Sequence, residues 1–246
     1  MPRTAARLAA LAATVAAVAA TAACSPAGTG ATAAADGREL SGDGSPALLV
    51  FGDSWTNGMA ATSAENRYAA LTGEALGWKT TVDGENGSGY LHEGSAGGTY
   101  GSRLARLAAT DDFDVIVIQG SINDRKDALA GLDGAAEAVW DGFAERFPDA
   151  EIVVLGPAPH VLPVEEKIER IDEILARAAA ADGLTYVSPL ADEWITPANY
   201  DTVIDTSEQG ANHPGDAGHA YLAEVLADDL AALFPDLVAV PVEAAR

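Results

Sequence analysis

Four short blocks carry residue types that could perform acyl transfer. Gly52-Asp53-Ser54-Trp55 offers a serine, and Asn86-Gly87-Ser88-Gly89-Tyr90 is a glycine-rich turn. Gly120-Ser121-Ile122-Asn123-Asp124-Arg125 brings a carboxamide, and Asn212-His213-Pro214-Gly215 an imidazole. Acyl transfer needs a nucleophile, a base to take its proton, and donors for the oxyanion. Ser54 fits the first role and His213 the second. The backbone N–H groups of Ser54 and Gly89, with the Asn123 side-chain amide, fit the third. Gly89 suits that role because the backbone must approach the substrate closely. Taken singly the blocks are ordinary: a serine after a strand is usually a helix cap, Asn-Asp is usually turn chemistry, and a histidine before proline is usually structural. Their joint appearance, each at the end of an apolar run or the start of a helical pattern, gives the reading its weight.

Those blocks need a scaffold to bring them together. Ala47-Leu48-Leu49-Val50-Phe51, Val115-Ile116-Val117-Ile118, Ile152-Val153-Val154-Leu155 and Leu184-Thr185-Tyr186-Val187 are apolar runs with strand length, and Thr80-Thr81-Val82 is a weaker one. Strands without polar alternation are typical of sheets covered on both faces. Helical spacing appears over 65–76, 100–109, 135–147, 164–181 and 216–234, the longer patterns stopping at glycine or proline. The β-α-β-α order implies a mostly parallel, doubly wound sheet, whose chemistry sits at the carboxyl ends of the strands.

With these residues in place the sequence resembles the SGNH (GDSL) hydrolase family, named for Ser, Gly, Asn and His from separate blocks. Gly52-Asp53-Ser54 matches the first block, Gly89 the second, Asn123-Asp124 the third and His213-Pro214 the last. The resemblance implies a three-layer α/β/α sandwich with a flavodoxin-like, five-stranded parallel sheet. It implies an esterase, lipase, deacetylase or acyltransferase that needs neither metal nor organic cofactor. Two departures stand out. Trp55 replaces the Leu that often follows the serine. More sharply, the family's last block is Asp-x-x-His, whereas Gly210 stands three residues before His213. The imidazole must then be oriented by the Gly210 carbonyl, the preferred candidate, or by a carboxylate folding back from Asp205 or Glu208. An unoriented imidazole would cost ~10⁴ in kcat if the serine-protease case transfers.

The chain has 246 residues, 14 Lys+Arg against 37 Asp+Glu, and a formal charge of -23. Nucleic-acid binding needs a basic surface and is excluded on that ground. Residues 1–23 read as a signal peptide: Arg3 and Arg7 precede an uncharged run from Leu8 to Ala23 that is shorter than a membrane span. Thr21-Ala22-Ala23-Cys24 is similar to a lipobox, so the leader is of lipoprotein type or ends in ordinary cleavage, and Cys24 is the one membrane link expected. Residues 24–45 form a Ser, Pro, Ala, Gly and Thr-rich linker, and 46–246 the hydrolase domain. The expected product is an exported serine esterase, extracellular or anchored to the outer face of the cytoplasmic membrane. It would act on a short acyl ester, such as an acetylated carbohydrate, with no cofactor. An acyltransferase on the same site and a non-catalytic glycan-binding lipoprotein are the alternatives. Trp55, Tyr90 and Arg125 are candidates for shaping the pocket; His160 could line the cleft, His219 reads as structural or lining, and His92 as exposed.

Overall fold

The computed structural model describes residues 44–107 and 112–238. The leader at 1–23 and all but the end of the linker at 24–45, including Cys24, lie outside the described residues. Five parallel strands form one sheet: β1 (Ala47–Gly52), β2 (Lys79–Gly84), β3 (Val115–Gln119), β4 (Glu151–Leu155) and β5 (Thr185–Val187). Their order is β2-β1-β3-β4-β5. This is the α/β/α arrangement that the alternation of strands and helices implies.

Period-two alternation sends neighbouring side chains to opposite faces. Leu48, Val50, Val115, Val117, Val153 and Leu155 enter one apolar layer. Leu49, Phe51, Ile116, Ile118, Ile152 and Val154 enter the other. The first layer is closed by α2 (Tyr68–Leu76) and α7 (Asp216–Leu233), whose Leu222, Leu226 and Leu230 repeat every four residues along one face. The second is closed by α3 (Tyr100–Leu104), α4 (Leu132–Arg146) and α5 (Glu166–Asp182), which contribute Tyr100, Trp140, Phe143, Ile171 and Leu175. Each fully buried Leu or Phe contributes about 2 kcal/mol by the area it removes from water. Both helical layers therefore press on a sheet with two apolar faces.

Strand order reverses direction between β1 and β3. In an open α/β sheet that is where a crevice opens beyond the carboxyl ends of the strands. Gly52 ends β1 and Gln119 ends β3. The segments after them are a one-turn helix, α1 (Ser54–Asn57), and a 3-10 turn over Ile122–Lys126. A further short helix, α6 (Tyr200–Val203), leads into β6 (Ile204–Asp205), which pairs antiparallel with β7 (His213–Pro214). This small ribbon presents the last block to the same crevice.

Candidate active site

Ser54 opens α1, and Asp53 caps it by accepting the Trp55 N–H at 2.9 Å. The first backbone N–H groups of a helix have no intrahelical acceptor, and the Ser54 N–H donates to no protein acceptor among the described residues. Asp53 is fully buried, and that burial raises its pKa to about 6 against the pull of the Trp55 N–H, Gln119 and the Arg103 charge. Its second oxygen lies 3.5 Å from Asn123 Nδ2, which also donates to the Ser88 carbonyl at 3.1 Å. The nucleophile block and the carboxamide block are thus tied to each other below the site.

Asp124 holds the glycine-rich turn. It accepts the consecutive N–H groups of Tyr90 (3.1 Å), Leu91 (2.8 Å) and His92 (2.9 Å), and the Ser121 hydroxyl as well. Burial pushes its pKa up while those donors pull it down. Arg103 clamps the other side of the turn. Its guanidinium donates to the Gly52 carbonyl, Ser88 Oγ and Asp83, and lies 4.1 Å from the Phe51 ring centre.

This framework changes the assignment of the turn's glycines. The Gly89 N–H donates to the His92 carbonyl at 2.9 Å, so it is not available to an oxyanion. A Cβ at Gly89 would meet Ser121 Oγ and the Asp124 carboxylate at 2.4–2.5 Å, which explains the glycine as a close-packing requirement. Gly87, two residues earlier, lines the cavity beside Ser54 instead. Its φ of +82° suits glycine, and its N–H donates to no protein acceptor among the described residues. The expectation that Gly89 contributes an oxyanion donor is corrected on this geometry. Two glycines in one turn made the sequence ambiguous; only the hydrogen bond to His92 separates them.

His213 arrives on β7 with Nε2 2.8 Å from Ser54 Oγ. Its Nδ1 lies 3.1 Å from the Gly210 carbonyl and 3.0 Å from the Ala211 carbonyl. Both neighbours accept only, so Nδ1 carries the proton and Nε2 presents its lone pair to the Ser54 hydroxyl. Neither alternative carboxylate stands there. The Asp205 carboxylate accepts the Ser207 N–H at 2.9 Å, and Glu208 is exposed. Ala211 and Asn212 hold left-handed backbone, φ +48° and +60°, to carry the carbonyls under the ring. Burial lowers the His213 pKa below 6.5; the two carbonyls raise it, and the Arg125 charge lowers it further.

Ser54, Asn123 and His213 share one cavity of about 230 Å³. Trp55, Met59 and Ile122 form apolar wall, and Arg125, Lys126 and His160 line the rest. Tyr90, expected as a pocket residue, is instead in the core, its hydroxyl accepting Trp140 Nε1–H at 3.0 Å. His219 is buried, accepts the Tyr68 N–H at Nδ1 and turns Nε2–H toward the Met59 carbonyl, so it braces the loop behind the cavity. His92 is half-buried and paired with Asp127 at 2.7 Å. Among the described residues no three His, Cys, Asp or Glu side chains cluster in a metal-binding group.

The sequence profile of the GDSL-like lipase/acylhydrolase family matches residues 50–221. A GDSL lipase of Mycobacterium tuberculosis is 32% identical over 192 residues, which cover 73% of this chain and 79% of that protein. In fold the chain is similar to a carbohydrate acetylesterase from Sinorhizobium meliloti, with TM-score 0.61 and 16% identity over 77% of this chain and 100% of that one. It is similar to the aryl esterase of M. smegmatis at TM-score 0.60 and 15% identity, over 77% and 100%.

Proposed function

The chain belongs to the GDSL-like lipase/acylhydrolase family and is an esterase; from that premise we propose that it hydrolyses short acyl esters through a Ser54–His213 dyad. The observation that carries this reading is the 2.8 Å approach of Ser54 Oγ to His213 Nε2. Nε2 takes the hydroxyl proton as Oγ attacks the ester carbonyl carbon. The negative charge that forms on the carbonyl oxygen is held by the Ser54 N–H, the Gly87 N–H and the one Asn123 Nδ2–H that is not bonded to the Ser88 carbonyl, which leaves its long 3.5 Å contact with Asp53 to do so. His213 then returns the proton to the departing alcohol. Water, deprotonated by the same nitrogen, attacks the acyl carbon, and His213 passes that proton to Ser54 Oγ as the acyl–oxygen bond breaks and the acid leaves. The imidazolium that forms at each step keeps its Nδ1–H on the Gly210 and Ala211 carbonyls. These orient the ring but supply no full negative charge.

The small cavity walled by Trp55 and Met59 supports a short acyl group. The acetylesterase among the structural neighbours makes an acetylated carbohydrate the substrate class to try first. Export, with Cys24 as a lipid attachment point, rests on the residues of 1–24 alone.

Hydrolysis of 4-nitrophenyl acetate by Ser54→Ala or His213→Ala protein should fall by ~10³ or more with the unfolding midpoint retained. A fluorophosphonate should label Ser54 in the wild type and not in His213→Ala. Turnover at wild-type rate in either variant would sink the dyad.

A further inference from the structure

The Ser54 cavity differs in charge from the chain that surrounds it. The protein has 37 Asp and Glu against 14 Lys and Arg, yet none of the thirteen residues lining the cavity is acidic, and two are Arg125 and Lys126. The acids closest to it in sequence face elsewhere. Asp53 caps α1, Asp124 gathers the three N–H groups of the turn, and Asp127 pairs with His92. Resting on the esterase reading, we propose that the substrate carries an anionic group, carboxylate or phosphate, which docks on Arg125 and Lys126 beside the scissile ester.

The two cations reach the cavity differently: Arg125 is half-buried and Lys126 is exposed at the rim. The Arg125 side chain is 24% exposed, its Nη1 donates to the Ile122 carbonyl at 2.9 Å, and its Nε lies 3.4 Å from the more exposed Glu165. Nη2 donates to no protein acceptor among the described residues. Lys126 Nζ donates to Asn123 Oδ1 at 3.3 Å and meets no carboxylate among the described residues. Two cations lining a shared cavity can each donate to an anion, and such charge-assisted bonds are about twice as strong as neutral ones. His160 is biased toward its neutral form: burial, then Arg125, holds its pKa below the ordinary histidine value. The acidic body of the protein repels anions at long range. Selectivity for an anionic ester must therefore come from contacts inside the cavity. An acylated acidic sugar would satisfy both this proposal and the wider esterase reading.

The charge can sit in either half of the ester, and paired substrates separate the cases. Mono-4-nitrophenyl succinate against 4-nitrophenyl butyrate places a carboxylate in the acyl half. 4-Acetoxybenzoate and 4-acetoxyphenyl phosphate, each against phenyl acetate, place a carboxylate or a phosphate in the alcohol half. The readout is the ratio of kcat/KM for anionic to neutral ester, compared between wild type, Arg125→Gln and Lys126→Gln. Comparing ratios cancels intrinsic reactivity. It also cancels any loss through Asn123 when Lys126 is changed, because a purely structural role slows both esters equally. In at least one pair the ratio should fall about tenfold for each cation removed, and the pair that responds names the half bearing the charge. Ratios unchanged in every pair would overturn the anion site while leaving the esterase intact. If the wild type hydrolyses none of these esters, the esterase reading itself fails. The anion site is then judged by calorimetric titration of Ser54→Ala protein with succinate, 4-hydroxybenzoate and phenyl phosphate. Binding weakened about tenfold by Lys126→Gln would support the site; no binding, or binding indifferent to both substitutions, would overturn it.

Discussion

The two sides of the active site are built from different materials. Around Ser54, buried side chains fix the backbone: Asp53 caps α1, Asp124 gathers three successive N–H groups, and Arg103 ties the ends of β1 and β2 to the glycine-rich turn. Around His213 the ring itself is held by main chain, while Asp205 and Ser207 side chains accept N–H groups within the loop that carries it. Two carbonyls hold the ring, from a loop whose residues 206–209 are exposed and which passes through two left-handed residues. Burying charged groups is worthwhile only when they are fully hydrogen-bonded, a condition that Asp124 and Arg103 approach most closely. The histidine side needs no buried charge, because its acceptors are neutral carbonyls. The nucleophile side is therefore stiff and intolerant of substitution, and the histidine side is tolerant except where space is lacking.

Removing Asp124 attacks the stiff side most directly. Asp124→Ala leaves the N–H groups of Tyr90, Leu91 and His92 and the Ser121 hydroxyl without their acceptor in a fully buried position. Breaking such a network should cost about 3–5 kcal/mol of stability, a drop of roughly 10 °C in the unfolding midpoint. Hydrolysis of a neutral ester should fall by ~10² or more as the oxyanion donors lose their positions. Differential scanning calorimetry with steady-state kinetics checks both. A variant that melts like wild type would erase the contrast between the two sides.

The sequence shows the scaffold more clearly than the site. Runs such as Val115–Ile118 can hardly be anything but a buried strand, and the period of α7 is legible from Leu222, Leu226 and Leu230. Helix starts are less so: α2 begins at Tyr68, three residues after the spacing suggests, and α1 is too short at Ser54–Asn57 to have a period. Within the site, the residue types and their order point to Ser54, Asn123 and His213, which share the cavity. Which glycine of the turn faces that cavity depends on where the Gly89 N–H goes, a question of tertiary hydrogen bonding that no local pattern encodes. The charge of the cavity is hidden for the same reason. Arg125 and Lys126 look like any polar residues after a strand until Asp124 and Asp127 are seen to turn away.

Gly210 tests whether the histidine side has room for the carboxylate that the family places there. A Cβ at this position would lie 2.2 Å from Asp205 Cγ and 2.4 Å from its Cβ and carbonyl oxygen. Gly210→Asp restores the Asp-x-x-His spacing but should lower activity about tenfold and cost about 1–3 kcal/mol, the usual penalty of overpacking. Adding Asp205→Gly should recover part of the loss, a coupling that a double-mutant cycle measures. Glu208→Ala should stay near wild type. Higher activity in Gly210→Asp alone would mean that the loop is softer than its packing implies.

The finest distinction is read in the pH profile. Only neutral His213 can accept the serine proton, so kcat/KM on a neutral ester falls as pH drops through the pKa of the free enzyme's base. Burial, with Arg125 acting in the same sense, lowers that pKa, so the acid limb should have its midpoint below the ordinary histidine value of about 6.5. Arg125→Gln should move the midpoint upward, while burial, the larger cause, keeps it from passing that value. A carboxylate at Nδ1 would act oppositely, favouring the imidazolium and raising the midpoint. Its removal would then shift the limb toward acid. Asp205→Ala separates the two cases: with carbonyls as the orienting groups the limb stays in place, whereas an acid shift would return the orienting role to Asp205 and make the histidine side a charged network like its counterpart.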